Sequence, residues 1–190
     1  MARMEDFQLK PISYNDLTLV LKWRNSDDIK SFMYTDHHIS WEEHYNWFTK
    51  VTTNSRYKVW LLHYKDRPLG LINFSDIDRE HSRCYWGFYI GENTAPKGSG
   101  TVMGILGLDN IFNKTGIYKV CSEAIHTNSG SIQFHRKLGF ESEGRFVEHI
   151  RKDNQYLDVI PMALFADKWE RIKPELIKSY SGEGGNDERD

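Results

Sequence analysis

Apolar and polar positions change period several times along the chain, and each change marks an element. Phe7-Gln8-Leu9-Lys10-Pro11-Ile12 alternates and runs into a proline, which predicts a short edge strand. From Tyr14 to Ser26 the spacing of Leu17, Val20, Leu21 and Arg24 follows one helical face. Met33 to Ile39 reads as loop. Ser40 followed by Glu43 is a capping box, so a second helix is expected from Trp41 to about Thr52. Lys58 to Tyr64 and Leu69 to Asp76 predict a hairpin turning at Asp66-Arg67-Pro68. Arg83 to Ile90 is a strand carrying Tyr85, Trp86, Phe88 and Tyr89, and Val102 to Phe112 is a helix with a broad apolar face. Tyr118 to Ala124 is a strand, and Ser129 to Leu138 is a helix stopped by Gly139. Gly144 to Ile150 and Gln155 to Phe165 are two more strands, and Lys168 to Ser179 a last helix.

That order, strand, two helices, three strands, helix, strand, helix, two strands, predicts one mixed α/β domain over residues 1–180, with no composition break or internal repeat. The helix from Val102 to Phe112 links two strands and predicts a parallel pair there. The tail 181–190 holds glycine and charge without an apolar residue, and is expected to lack fixed structure. The 190 residues suit one domain, and the apolar content of 39% supports a packed core. The net charge of −2 gives no pull toward nucleic acid or anionic lipid. No apolar run approaches the about 20 residues of a membrane span, and the amino terminus has no signal-peptide core. Cys84 and Cys121 lie inside apolar runs and read as buried free thiols in a reducing cytoplasm. No Cys/His spacing resembles a zinc site, and His37-His38 reads as an exposed loop pair, so no metal is expected.

Two segments carry the candidate chemistry. Pro96-Lys97-Gly98-Ser99-Gly100-Thr101 follows a strand and opens an apolar helix. Such a corner aims backbone N–H groups at an anion, glycine lets a ligand come close, and Lys97 adds a positive charge. An ordinary strand-to-helix turn would look the same, and neither the dinucleotide fingerprint nor the nucleoside-triphosphate loop is complete. Downstream, Asn128-Ser129-Gly130-Ser131-Ile132-Gln133-Phe134-His135-Arg136-Lys137-Leu138-Gly139-Phe140 places a titratable His135 on a short helix.

Together these segments resemble the GCN5-related N-acetyltransferase (GNAT) superfamily, over a stretch from about Lys58 to Phe165. The resemblance implies a single-domain fold with a central mixed, mostly antiparallel sheet flanked by helices. It implies acetyl-CoA as cosubstrate, its pantetheine arm on the strand with Trp86, Phe88 and Tyr89. The pyrophosphate would lie on Lys97, Gly98, Ser99, Gly100 and Thr101, with Asn128, Ser131 and Lys137 in the second block. Ala95 stands where the family pattern has Gln or Arg. His135 occupies the place of a tyrosine that protonates the departing thiolate, and a histidine with an ordinary pKa of about 6.5 can donate from either nitrogen. Glu123 matches a carboxylate proposed as base.

The amino-terminal half, with Trp23-Arg24-Asn25, Met33-Tyr34, Ser40 and His44, resembles the acetyltransferases of pseudaminic acid biosynthesis. Gly144-Arg145 and Asp158-Val159 also have counterparts there. Those enzymes acetylate the 4-amino group of UDP-4-amino-4,6-dideoxy-β-L-AltNAc, a sugar destined for flagellin or surface polysaccharide. The resemblance implies a UDP-amino sugar as substrate, held by Arg24, His44, Ser75 and Tyr89, with Asp76 where a basic residue is expected. Arg24 offers a planar fork for phosphate, or a surface salt bridge with Asp27 or Asp28. His44 is a phosphate or hydroxyl donor, or a solvated helix residue. Trp23, Trp41 and Trp47 read as core anchors, although Trp41 also suits stacking on sugar or base. Two other readings stay open: an acetyltransferase for protein amino termini, and a non-catalytic acetyl-CoA-binding module. Strand-mediated dimers are common in the family, which makes a homodimer possible.

Overall fold

The computed structural model describes residues 2–35 and 37–181. The strands are β1 (Phe7–Pro11), β2 (Lys58–Tyr64), β3 (Arg67–Asp78), β4 (Arg83–Ile90), β5 (Lys119–Ile125), β6 (Glu141–Ser142), β7 (Phe146–Lys152) and β8 (Gln155–Phe165). The helices are α1 (Leu17–Arg24), α2 (Asp27–Lys30), α3 (Trp41–Thr53), α4 (Ser99–Thr115), α5 (Ser129–Lys137) and α6 (Ala166–Ser181). Short 3-10 turns at Met4–Asp6 and Tyr14–Asp16 precede β1 and α1.

All eight strands join one sheet in the order β1-β2-β3-β4-β5-β8-β6, with β7 on β8. Every pairing is antiparallel except β4 with β5, the pair that α4 connects. A right-handed crossover through a helix is the ordinary way to make such a parallel pair. The mixed, mostly antiparallel sheet expected from the sequence is therefore the one observed.

Both faces of the sheet are covered. One core gathers Leu62, Ile72 and Phe74 from the sheet, Val102, Ile105 and Leu108 from α4, and Trp169 from α6. The other packs Leu17, Val20 and Trp23 of α1 and Val51 of α3 against Val59, Leu61 and Leu71. Adjacent residues such as Leu61 and Leu62 serve opposite cores because side chains alternate across a strand. The same alternation puts Cys84 and Cys121 on opposite faces, since Cys84 is level with Val120 and Tyr85 with Cys121. Both are buried free thiols, and burial pushes the Cys84 thiol up to about 12.

Several boundaries differ from the sequence expectation. The single helix expected from Tyr14 to Ser26 is a 3-10 turn followed by α1, which ends at Arg24; the chain leaves the helix at Asn25, and the short α2 starts behind Ser26, beyond the expected range. The β2–β3 turn lies at Lys65 and Asp66, both at positive φ, and Pro68 sits inside β3 beside a register shift, a place where a strand tolerates proline. Trp41 is not a core anchor: it opens α3 and is 46% exposed. Trp23 is one, 3% exposed, with its indole N–H donated to Glu92. The tail expected to begin at Ser181 starts as the last residue of α6, and residues 182–190 lie outside the described residues.

Ile105 is fully buried in the α4 face of the larger core. Replacing it by alanine should cost about 2–5 kcal/mol of stability. Urea unfolding of Ile105→Ala should show a midpoint shift of that size with an unchanged slope.

Candidate active site

The sheet opens where β4 and β5 separate. Their ladder has three pairs, Arg83 with Lys119, Cys84 with Val120 and Tyr85 with Cys121. Beyond these, β4 stays paired to β3 as far as Ile90, and β5 stays paired to β8 as far as Ile125. The two halves of the sheet diverge and leave a cavity of about 670 Å³ between them. Its walls are Trp86 to Ile90, Ser122 to Ile125, parts of α1 and α3, the loop from Met33 to Thr35, and the start of α5. The outer backbone edge of β4 therefore faces a cleft instead of a partner strand, as a strand-like ligand requires.

His135 sits at the fork. Trp86 and Ser122 are the first residues of each strand past the last pair. The Trp86 indole donates to His135 Nε2 at 3.1 Å, and Ser122 Oγ lies 2.6 Å from the same nitrogen. His135 Nδ1 lies 2.7 Å from the Ser131 carbonyl oxygen. An indole only donates and a carbonyl only accepts, so the proton is on Nδ1 and Nε2 is an acceptor. The ring is 2% exposed, and burial holds its pKa down to about 4. Sequence expectation made His135 the acid for the leaving thiolate. Its hydrogen bonds leave no proton on Nε2 near neutral pH, and describe instead a wedge that ties β4, β5 and α5 together.

The glycine corner adjoins one end of the cavity, with Gly100 beside the lining residues Phe134 and Ile90. Gly98 caps α4 with φ of 91°. A Cβ there would also lie 2.7 Å from the Tyr180 ring, so packing and backbone both require glycine. A Cβ on Gly100 would meet only Phe134 and Ile90, at ordinary contact distances of 3.7 and 3.9 Å. The fold does not need glycine at that site; a ligand close to the backbone would. The amides of Gly98, Gly100 and Thr101 have no acceptor among the described residues, the usual state of a helix start. Ser99 is turned away: its N–H and hydroxyl both donate to the Pro96 carbonyl. Lys97 is exposed beside the corner, and Lys137 donates to Thr101 Oγ1 at 3.1 Å, which brings a second cation to it. Asn128 spends its side chain capping α5 through the Ser131 amide, and both residues line the cavity.

The other end of the cavity is polar and electrically divided. Arg24 Nη1 and His44 Nε2 are buried there without a hydrogen-bond partner among the described residues, while Arg24 Nη2 donates to the Thr35 carbonyl at 3.4 Å and Glu43 lies near the guanidinium. Neither fallback reading holds: among the described residues Arg24 forms no ion pair with Asp27, which pairs with Lys30, or with Asp28, and His44 is 4% exposed, stacked on Trp47. Burial lowers the His44 pKa, and the nearby Arg24 cation adds to this, so the ring is neutral. Burial raises the phenol pKa of Tyr89, which neighbours Arg24. Across the cavity, Tyr34 donates to Glu123 Oε2 at 2.7 Å. Ser75 is not part of the lining, which uses Asn73 from the same strand. Asp76 is exposed and faces Arg56 at 3.5 Å. Arg145 and Asp158 form an ion pair, with the carboxylate also accepting from the Glu148 amide.

Sequence reasoning missed Ser122 and the pairing of Tyr34 with Glu123. Ser122 had a signal: it is polar on the same strand face as buried Val120 and Ala124. The pairing had none, since 89 residues separate its members.

Residues 6–141 match the model of an acetyltransferase (GNAT) domain. An acetyltransferase PseH of Campylobacter jejuni is 30% identical over 103 residues, which are 54% of this chain and 61% of that protein. An uncharacterized protein of Methanocaldococcus jannaschii is 26% identical over 161 residues, 77% of this chain and 31% of its own length. The chain thus spans less than two thirds of the length of the curated relatives it matches. Among solved structures, the spermidine N-acetyltransferase of Vibrio cholerae in complex with CoA and spermine superposes with a TM-score of 0.82, at 19% identity, over 87% of this chain and 99% of that one. A dodecameric structure of that enzyme superposes with a TM-score of 0.73. At that identity the likeness is one of fold. No helix among the described residues is long and apolar enough to cross a membrane.

Two predictions follow from the geometry. His135 has its pKa depressed in the fold, so the stability it contributes is full above about pH 6.5, its unfolded value. That contribution is lost as pH falls to about 4. Between these values it amounts to on the order of 3 kcal/mol at most. Denaturant midpoints should therefore fall over that window, and His135→Gln should flatten the slope. Gly100→Ala should keep or raise the melting temperature while weakening CoA binding about tenfold or more, read by calorimetry. Unchanged affinity would remove this corner from the cofactor site.

Proposed function

This chain belongs to the GNAT acetyltransferase family, and from that premise we propose that it is a cytoplasmic enzyme moving the acetyl group of acetyl-CoA to the 4-amino group of a UDP-linked amino-dideoxy sugar. The observation that carries the acceptor class is the pair of buried nitrogens, Arg24 Nη1 and His44 Nε2, that have no hydrogen-bond partner among the described residues. A buried N–H of a cation without an acceptor is costly, and a phosphate or another anionic group would satisfy it. A polyamine such as spermidine would bring cations toward Arg24 and leave its Nη1 unsatisfied, even with Asp28 and Glu43 in the same lining. Glu123 offers the opposite charge at the other wall, where an amine belongs. The 30% identity to an acetyltransferase PseH agrees with this reading.

In the proposed reaction the neutral amine attacks the thioester carbonyl, the C–S bond breaks, and the amine proton passes to Glu123 directly or through one water. Tyr34 holds Glu123 Oε2 and fixes the carboxylate toward the cleft. A backbone N–H of β4 between Trp86 and Tyr89 polarises the thioester oxygen, and the free edge of that strand orients the pantetheine arm. Because His135 Nε2 is occupied as an acceptor, the departing thiolate takes its proton from water. No acyl-enzyme is required; burial raises the pKa of the Cys121 thiol and makes it a poor nucleophile.

Thiol release from acetyl-CoA should be tested with a UDP-4-amino sugar, spermidine and a ribosomal amino-terminal peptide. The nucleotide sugar should give the highest kcat/KM. Glu123→Gln should lower kcat by about 10²–10⁴. Arg24→Ala should raise the KM for the sugar by roughly tenfold or more, with acetyl-CoA affinity unchanged. Preference for spermidine or the peptide would reject the sugar assignment, and CoA binding without turnover would favour a binding module.

A further inference from the structure

Strand β7 is exposed along most of its length, yet its last residue, Lys152, is buried to 8% exposure. Lysine is rarely buried unless its charge is answered. Here the ammonium donates to three backbone carbonyls, of Lys30 at 3.1 Å, Ser31 at 2.6 Å and Met33 at 2.8 Å. Three donors meet three acceptors, so the ammonium is fully satisfied without a carboxylate. Those carbonyls belong to the segment that leaves α2 and presents Met33 and Tyr34 to the cavity.

The lysine is itself aimed by a tight turn. Asp153 and Asn154 have φ of 48° and 62°, and Lys152 pairs with Gln155 across them. Two successive positive φ values are the mark of a type I′ hairpin, which fixes the direction of its flanking residues. Strand β8 continues from that turn and pairs along β5, the strand that holds Glu123. The tip of the β7–β8 hairpin is therefore anchored to the same half of the sheet as Glu123, and Lys152 extends that frame to the loop carrying Tyr34.

We propose that Lys152 is a positioning residue for the acceptor side of the cleft: by gathering the carbonyls of Lys30, Ser31 and Met33, it holds Tyr34 in reach of Glu123. The kinetic consequence rests on the acceptor reading above; the positioning itself does not. Loss of the ammonium leaves the Ser31 and Met33 carbonyls without that donor, while the Lys30 carbonyl keeps only the Met33 amide, and Tyr34 loses its fixed approach. The phosphate corner and β4 make no contact with Lys152 through these bonds, so the cofactor side should be spared.

The test uses Lys152→Met, which keeps much of the apolar stem, and Lys152→Arg, which keeps the charge. The Tyr34 ring resonance is read in ¹³C-tyrosine-labelled protein and assigned with Tyr34→Phe. In Lys152→Met it should move toward the value of a solvated phenol, and amide exchange over residues 31–34 should accelerate about tenfold or more. CoA affinity should stay within about twofold, while the acceptor KM rises about tenfold, and Lys152→Arg should recover part of each change. An unmoved Tyr34 resonance with unchanged exchange overturns the proposal. Equal losses of acceptor and CoA affinity overturn it as well, since they mark a purely structural residue. Failure of the wild-type protein to acetylate any nucleotide sugar would sink the acceptor reading, while the Tyr34 resonance still decides the role of Lys152. Should Lys152→Met not fold, Lys152→Gln, which removes the charge and shortens the reach, is judged by the same resonance and exchange, and no change there overturns the proposal.

Discussion

The three-pair ladder between β4 and β5 is the constraint on which the site depends. A longer ladder would close the cleft, and none would let the two halves of the sheet drift apart. His135 stands at the place where pairing stops, taking hydrogen bonds from Trp86 on one strand and Ser122 on the other. Its other nitrogen is tied to the start of α5. The ring thus replaces strand-to-strand hydrogen bonds at the point where they are given up, and it can do so only as a neutral acceptor. Burial supplies that neutrality.

Beyond the fork, the two walls of the cleft divide the work. The β4 wall, the glycine corner and the start of α4 offer backbone N–H groups and nearby lysines, a combination suited to a long ligand ending in phosphates. The opposite end offers Arg24 and His44 on one side and Glu123 with Tyr34 on another. Because these groups are partly removed from water, their charges act over the cavity with less screening than on a surface. The proposed acceptor, with an amine and an anionic group, would use the cation and the Glu123 carboxylate separately.

Much of this was legible in the order of residues. The capping box at Ser40 and Glu43 was realised, with Ser40 Oγ accepting from the Glu43 amide. Gly139 ended α5 at φ of 88°. The parallel pair was visible because an apolar helix joined two strands. Local rules also failed in identifiable ways. Helical spacing ran through Asn25 and Ser26, but Asn25 turns its side chain to both backbone groups of Ile39, and the chain bends there. Trp41 read as a core residue by type, whereas its place in the first turn of α3 faces outward.

The sequence by itself determined the elements, the single mixed sheet and the glycine corner, because hydrophobic period, caps and turn residues act over a few neighbours. Tertiary structure alone decided what surrounds His135, Arg24, Glu123 and Lys152. A histidine on a helix is an acid, a base or a post according to what faces each nitrogen, and those partners lie on strands distant in sequence. Lys152 next to a turn looks solvated until the fold brings three carbonyls from the other end of the chain around it. Protonation and orphaned charge depend on burial and on contacts across long sequence separations, and neither is written in local order.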